Sequence, residues 1–342
     1  MHPRGHPVTR FGALITGVDG LRLTPEEKAF FREVRPFGFI LFARNIDNPD
    51  QVRALCAALR EAAGHDAVIT IDQEGGRVQR LRAPHWRDWP APLDHVAAAG
   101  AQAAEAMYLR YRIIAAELIS LGIDSNCAPL VDVAGAETHP FLRDRCYGAT
   151  AGQVALLGRA VADGLMAGGV LPVVKHIPGH GRASADSHHD LPCVSAPPAH
   201  LVEVDFAPFA ALADLPMAMT AHVVYRALDP RPATLSPVVI EIIRRSIGFD
   251  GLLMTDDIGM NALSGSLVAR ARDALAAGCD VILHCNGTLA ERQAVAEVSG
   301  AMHAAAQMRA ERVLAARRSP DPVDIARLSA QLEALTGGQE HG

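Results

Sequence analysis

Short apolar runs alternate with amphipathic stretches from one end of the chain to the other, and that alternation predicts the fold class. Eight runs read as buried strands: Ala13–Thr16, Gly38–Phe42, Ala67–Ile71, Ile123–Cys127, Leu171–Lys175, Met217–Ala221, Gly251–Thr255 and Asp280–His284. They are short and mostly apolar, as strands covered on both faces should be. Helical spacing fills Pro25–Val34, Asp50–Ala63, Ala101–Ser120, Ala151–Ala167, Pro237–Ser246, Val268–Ala277 and Leu289–Val298. Eight strand-then-helix units predict an α/β fold, a single (β/α)8 barrel of the TIM type over residues 1–300, with a doubly wound open sheet as the weaker alternative. Two further helical patterns, Ala301–Arg318 and Pro322–Leu335, predict C-terminal helices over 301–342, packed on the outside of the barrel in the same domain.

A barrel of this kind carries its active residues just past the C-terminal ends of its strands. The polar clusters of this chain fall there. Asp72-Gln-Glu-Gly-Gly-Arg77 follows the third strand, Lys175-His176 closes the fifth, Ala221-His222 the sixth and Asp256-Asp257 the seventh. Leu142-Arg-Asp-Arg-Cys-Tyr-Gly148 lies in the long connection after the fourth. The densest cluster comes after the fifth strand, where four histidines, two aspartates and a lysine occupy the sixteen positions from Lys175 to Asp190. A loop this rich in titratable groups, broken by Pro178, Gly179 and Gly181, points to a working site.

Three sets of residues can carry chemistry. The adjacent acids Asp256 and Asp257 after an apolar strand can be a helix cap or an Asx turn, but a carboxylate at that place can also serve as nucleophile, general base or metal ligand. His188, two residues after Asp186, can give and take a proton near neutrality, with the carboxylate orienting it; a solvated polar loop is the plain alternative. Asp72, Arg80, Arg145, Lys175 and His176 bring donors and acceptors to one mouth, which suits a ring of hydroxyl groups. Rim ion pairs are the alternative for any one arginine.

Composition removes several classes. The chain has 342 residues, 49% of them hydrophobic, a net charge of −6 and scattered arginines, so it lacks a basic footprint for nucleic acid. No apolar run approaches the roughly 18 residues of a membrane span. The six cysteines form no CxxC pair and the first eleven residues lack the apolar core of a signal peptide, so free thiols in the cytoplasm are expected. Five histidines (His176, His180, His188, His189, His222) invite a metal, yet Pro178 and Gly179 interrupt His176-x-x-x-His180 and no His-x-His ends the first strand. No metal and no cofactor are expected.

Several long segments resemble the third family of glycoside hydrolases, in particular bacterial β-N-acetylglucosaminidases of peptidoglycan recycling. They are Ile71-Asp-Gln-Glu-Gly-Gly-Arg-Val-Gln-Arg-Leu81, Asp144-Arg-Cys-Tyr-Gly148, Val174-Lys-His-Ile-Pro-Gly-His-Gly181, Ala185-Asp-Ser-His188, Met219-Thr-Ala-His222, Leu228–Pro237 and Gly248–Asp257, in family order. The resemblance implies Asp256 as nucleophile, His188 as acid/base with Asp186 as its partner, and Asp72, Arg80, Arg145, Lys175 and His176 as sugar-holding residues. It implies retaining, exo-acting removal of N-acetylglucosamine from anhydro-muropeptides, a small glycan substrate met without membrane or nucleic acid, by a monomer or weak oligomer. Phosphorolysis by the same residues, a metal-dependent amidohydrolase and a silent sugar-binding barrel remain alternatives. Ile177, Cys146-Tyr147 and Ile258-Gly259 depart from the usual pattern and bear on the leaving-group pocket.

Overall fold

The computed structural model describes residues 10–183 and 191–337. Its main sheet has eight parallel strands: β1 (Gly12–Thr16), β2 (Pro36–Leu41), β3 (Val68–Ile71), β4 (Ser125–Asn126), β5 (Leu171–Ile177), β6 (Met217–Thr220), β7 (Leu252–Met254) and β8 (Ile282–His284). The hydrogen-bonded order runs β7-β6-β5-β4-β3-β2-β1-β8. A parallel bridge between Met254 and Val281, with Thr255 N donating to Val281 O at 3.1 Å, joins the two ends. The sheet is therefore a closed barrel, and the open doubly wound alternative is set aside.

Strand side chains alternate between two cores, as the two-residue period requires. Val173, Met217, Met219, Leu252, Met254, Val281 and Leu283 fill the barrel interior, whereas Val174, Ala218, Leu253 and Ile282 pack beneath the helices. The helices start where short polar side chains can cap them. Thr24 and Glu27 form a reciprocal capping box at Pro25–Val34, and Asn48 caps Pro49–Ala63. Glu27 also receives Arg292 Nη1 at 2.9 Å, which ties the first helix to the last of the barrel, Leu289–Ser299.

Three local departures from the sequence reading have physical causes. The regular part of β4 spans two residues, but the chain stays beside β5 as far as Leu130, with Lys175 N donating to Pro129 O and Val131 N to Lys175 O. Two proline-flanked turns of helix and a π-helical turn fill 198–211, a stretch whose helical spacing is too irregular to read. Ala301 bridges Gly12 and Met302 N donates to Phe11 O, so the next helix starts at Ala304 and not at Ala301. That helix, Ala304–Ala315, sends Ala306, Ala310 and Val313 into the interior cluster beside Phe11 and Phe37. It closes the N-terminal end of the barrel instead of lying outside it. Among the described residues no helix is long and apolar enough to cross a membrane.

Candidate active site

The inward-facing series of the strands runs on past their C-terminal ends, and there its members become polar. Positions 171 and 173 of β5 lead to Lys175, 252 and 254 of β7 lead to Asp256, and Val68 and Thr70 of β3 lead to Asp72. These side chains meet in a cavity of about 380 Å³ that Arg80, Arg145, His176 and His180 also line, with Phe42, Phe141, Met219 and Met260 as apolar walls. The volume lies within the roughly 300–1,000 Å³ of small-molecule pockets. Six of the eight residues expected at the site thus share one cavity. The other two, Asp186 and His188, lie outside the described residues.

One wall is a network of ion pairs. Asp72 receives Lys175 Nζ on Oδ1 at 2.9 Å and Arg80 Nη2 on Oδ2 at 3.0 Å. Lys175 Nζ also lies 2.6 Å from Glu74 Oε1, and Arg145 grips Glu74 with Nη2 at 2.8 Å and Nε at 2.9 Å. Burial alone would raise both carboxyls, but Lys175 and Arg80 hold Asp72 well below the usual carboxylate range. Arg145 and Lys175 likewise bring Glu74 down to about 2. Burial opposes the charge of Lys175 too, and Asp72 and Glu74 overcome it and raise its proton affinity above that of an ordinary lysine. All three groups are charged at neutral pH. Each oxygen of Asp72 keeps a lone pair for a ligand hydroxyl.

The opposite wall is Asp256. Its Oδ1 accepts Asp257 N at 2.8 Å, while Oδ2 has no hydrogen-bond partner among the described residues. Burial pushes its carboxyl up, but His222, His176 and the Asp257 amide outweigh that and hold it below the usual range. Asp257 also borders the cavity, but its Oδ1 accepts Gly259 N at 2.9 Å and Cys285 N at 3.1 Å, the turn-forming arrangement that the sequence allows for one of two adjacent acids. His222 stands behind the pair with Nε2 3.0 Å from Asp257 O and Nδ1 2.8 Å from Thr234 Oγ1. A carbonyl can only accept, so Nε2 carries the proton. Burial lowers the proton affinity of His222, and the charge of the nearby Asp256 opposes that.

His176 is aimed from behind as well. Its Nδ1 lies 2.8 Å from Asp132 Oδ2, and Asp132 Oδ1 accepts His180 N at 2.6 Å, which leaves His176 Nε2 for the cavity. Burial, and then the neighbouring His176, lower His180 to about 4 and keep it neutral. Glu74 and Asp132 are the residues that reading the sequence missed. Glu74 sits two positions after Asp72 in the same motif, and that alternation was a usable signal. Asp132 was hidden because the fourth strand reads as ending at Cys127, whereas the chain follows β5 until just before Asp132. Among the described residues no three His, Cys, Asp or Glu side chains are grouped so as to hold a metal ion.

Side chains so placed can bind a polyhydroxylated ring on one wall and present an unprotonated carboxylate oxygen to it from the other. Residues 18–316 match the model of the glycosyl hydrolase family 3 N terminal domain. The chain belongs to glycosyl hydrolase family 3 and is a glycoside hydrolase. It is similar to the beta-hexosaminidase of Alkalilimnicola ehrlichii, 40% identical over 283 residues that make up 80% of this chain and 81% of that protein. Among solved structures it is similar to native NagZ from Neisseria gonorrhoeae, with a TM-score of 0.82 and 30% identity over 96% of this chain and 97% of the other. It also resembles a glycoside hydrolase family 3 beta-N-acetylglucosaminidase from Paenibacillus, with a TM-score of 0.78 and 33% identity over 96% of this chain but 62% of that longer one.

Proposed function

We propose that the protein is a retaining, exo-acting β-N-acetylglucosaminidase that cleaves terminal N-acetylglucosamine from anhydro-muropeptides. The observation that carries this reading is the Asp256 carboxylate: ionised, fixed by one oxygen, and part of the lining of the cavity that Asp72, Lys175 and Arg145 share. In the first step Asp256 Oδ2 attacks the anomeric carbon as the glycosidic bond breaks, and the leaving oxygen takes a proton from His188. In the second, His188 removes a proton from water, which displaces Asp256 and returns the sugar with its original configuration. Asp186 orients His188. Asp72, Arg80, Arg145, Lys175 and His176 hold the hydroxyls of the bound sugar through both steps. The wall-fragment substrate, the cytoplasmic setting and a monomeric or weakly associated state rest on the resemblance of the motifs.

Turnover of an aryl β-N-acetylglucosaminide, followed by proton NMR with and without inorganic phosphate, tests this reading. Release of the β-anomer of free N-acetylglucosamine, at a rate that phosphate leaves unchanged, is the expected result. A sugar 1-phosphate product would assign phosphorolysis instead. The α-anomer appearing first would remove the covalent intermediate, and inactivation by a chelator would point to metal-dependent hydrolysis.

A further inference from the structure

Glu74 does not line the cavity, and its side chain is 1% exposed, yet it holds two residues that do. Lys175 Nζ lies 2.6 Å from its Oε1 as an ion pair, while Oε1 accepts Arg145 Nη2 at 2.8 Å and Oε2 accepts Arg145 Nε at 2.9 Å. The main chain at Glu74 is anchored from the far side. Arg110, fully buried, donates Nη2 to Glu74 O at 2.6 Å and to Pro90 O at 2.8 Å, and Tyr111 OH donates to the same Glu74 carbonyl at 3.3 Å. The next residue has to be glycine. A Cβ on Gly75 would stand 1.9 Å from Arg110 Nη2 and 2.6 Å from Pro90 O, at a φ of +112°.

The arrangement divides the cations between two carboxylates. Lys175 is shared by Asp72 and Glu74, Arg80 goes to Asp72, and Arg145 goes to Glu74. With no charge at position 74, Lys175 and Arg145 would have Asp72 as their nearest anion. Asp72 would then be saturated by protein donors and its remaining lone pairs lost to a ligand. We propose that Glu74 is a positioning residue for sugar recognition, holding Lys175 and Arg145 from behind so that Asp72 stays free to accept sugar hydroxyls. This rests on reading the cavity as the sugar site.

The test compares wild type, Glu74→Gln and Glu74→Asp in kcat and KM on an aryl β-N-acetylglucosaminide, in the Kd of N-acetylglucosamine by calorimetry, and in thermal unfolding. Glu74→Gln should raise KM and Kd about 10- to 100-fold, the worth of one misplaced charge-assisted hydrogen bond. Its kcat should stay within about threefold of wild type, because contacts made equally in ground and transition states act on KM. Glu74→Asp restores the charge with a shorter reach, so its KM should fall between the two. A purely structural role would lower the folded fraction, and with it the apparent kcat, at unchanged KM and Kd; that result overturns the proposal. If Glu74→Gln does not fold, a folded Glu74→Asp with wild-type KM overturns it equally. Wild type that neither binds nor turns over the sugar would instead sink the functional reading, before any variant enters.

Discussion

The two ends of the barrel use the same residue types to different ends. At the N-terminal end Asp280 accepts Leu253 N at 2.9 Å and Arg244 Nη2 at 2.6 Å on Oδ2, with Arg309 Nη1 3.0 Å from Oδ1. Asp124 is held by a similar set: its Oδ1 accepts Ile69 N at 2.8 Å, and Arg60 Nη2 at 3.2 Å and Arg317 Nη2 at 2.6 Å form ion pairs with it. Each of these acids stands just before a strand and pairs with an arginine of the C-terminal segment, so they lock the closing helix under the barrel. At the mouth, Asp72 and Asp256 are also tied to neighbours, but both line the cavity and the protein leaves each with hydrogen-bonding capacity unspent. Electrostatics follow the same division. Burial outweighs Arg317 and Arg60 at Asp124 and leaves its carboxyl above its ordinary value, whereas at Glu74 and Asp72 the cations win. Ion pairing alone therefore does not set the mouth apart; unspent hydrogen-bonding capacity beside an ionised group does.

The largest effect should come from the mouth. Asp256→Ala removes the oxygen proposed to attack the sugar and should lower kcat on the order of a thousandfold or more, with the unfolding midpoint close to wild type. Steady-state kinetics beside a melting curve read both. A bottom substitution should invert that pattern. Asp280→Asn leaves two arginines facing an uncharged group and should cost about 3–5 kcal/mol of stability, seen in urea unfolding, while KM on folded enzyme stays unchanged. If Asp280→Asn raised KM as well, the two ends would not be independent.

Asp72→Asn comes next, with kcat/KM falling roughly 10- to 100-fold as one charged acceptor for a sugar hydroxyl is lost. Acid should also act through the mouth. The carboxyl of Glu74 is depressed from 4.5 to about 2. Its contribution to stability is complete above about pH 4.5 and is lost as pH falls through about 2, and Asp72 is shifted in the same direction. Urea midpoints measured down this range should fall more steeply in wild type than in Glu74→Gln. The smallest effect belongs to the surface. Arg245 and Glu241 form an i,i+4 pair with side chains 78% and 61% exposed, so Arg245→Ala should change stability by less than about 0.5 kcal/mol and kinetics not at all.

Much of the difference between the two ends was legible in the chain. Short apolar runs placed the eight strands, and polar residues at their C-terminal ends placed Asp72, Lys175, His176 and Asp256 at one mouth. The supporting shell was legible only in part: Glu74 stands two positions after Asp72 in one motif, but the partners that it and Asp132 hold lie far along the chain. Glu74 is 71 positions from Arg145, and Asp132 is 44 from His176, so their pairing exists only after folding. The closing helix was misplaced for a related reason. Its small residues Ala306 and Ala310 look like one more amphipathic face, and only Met302 pairing with Phe11 turns that face under the barrel.

The claim at the centre of this account is that Asp256 carries the sugar covalently. Incubation with a fluorinated N-acetylglucosaminyl fluoride that forms the intermediate quickly and releases it slowly, followed by peptide mass mapping, tests it directly. The account predicts one sugar adduct per chain, on the peptide holding Thr255-Asp-Asp257 and on Asp256 within it. An adduct on Asp257, on another carboxylate, or none while the enzyme turns over would contradict it.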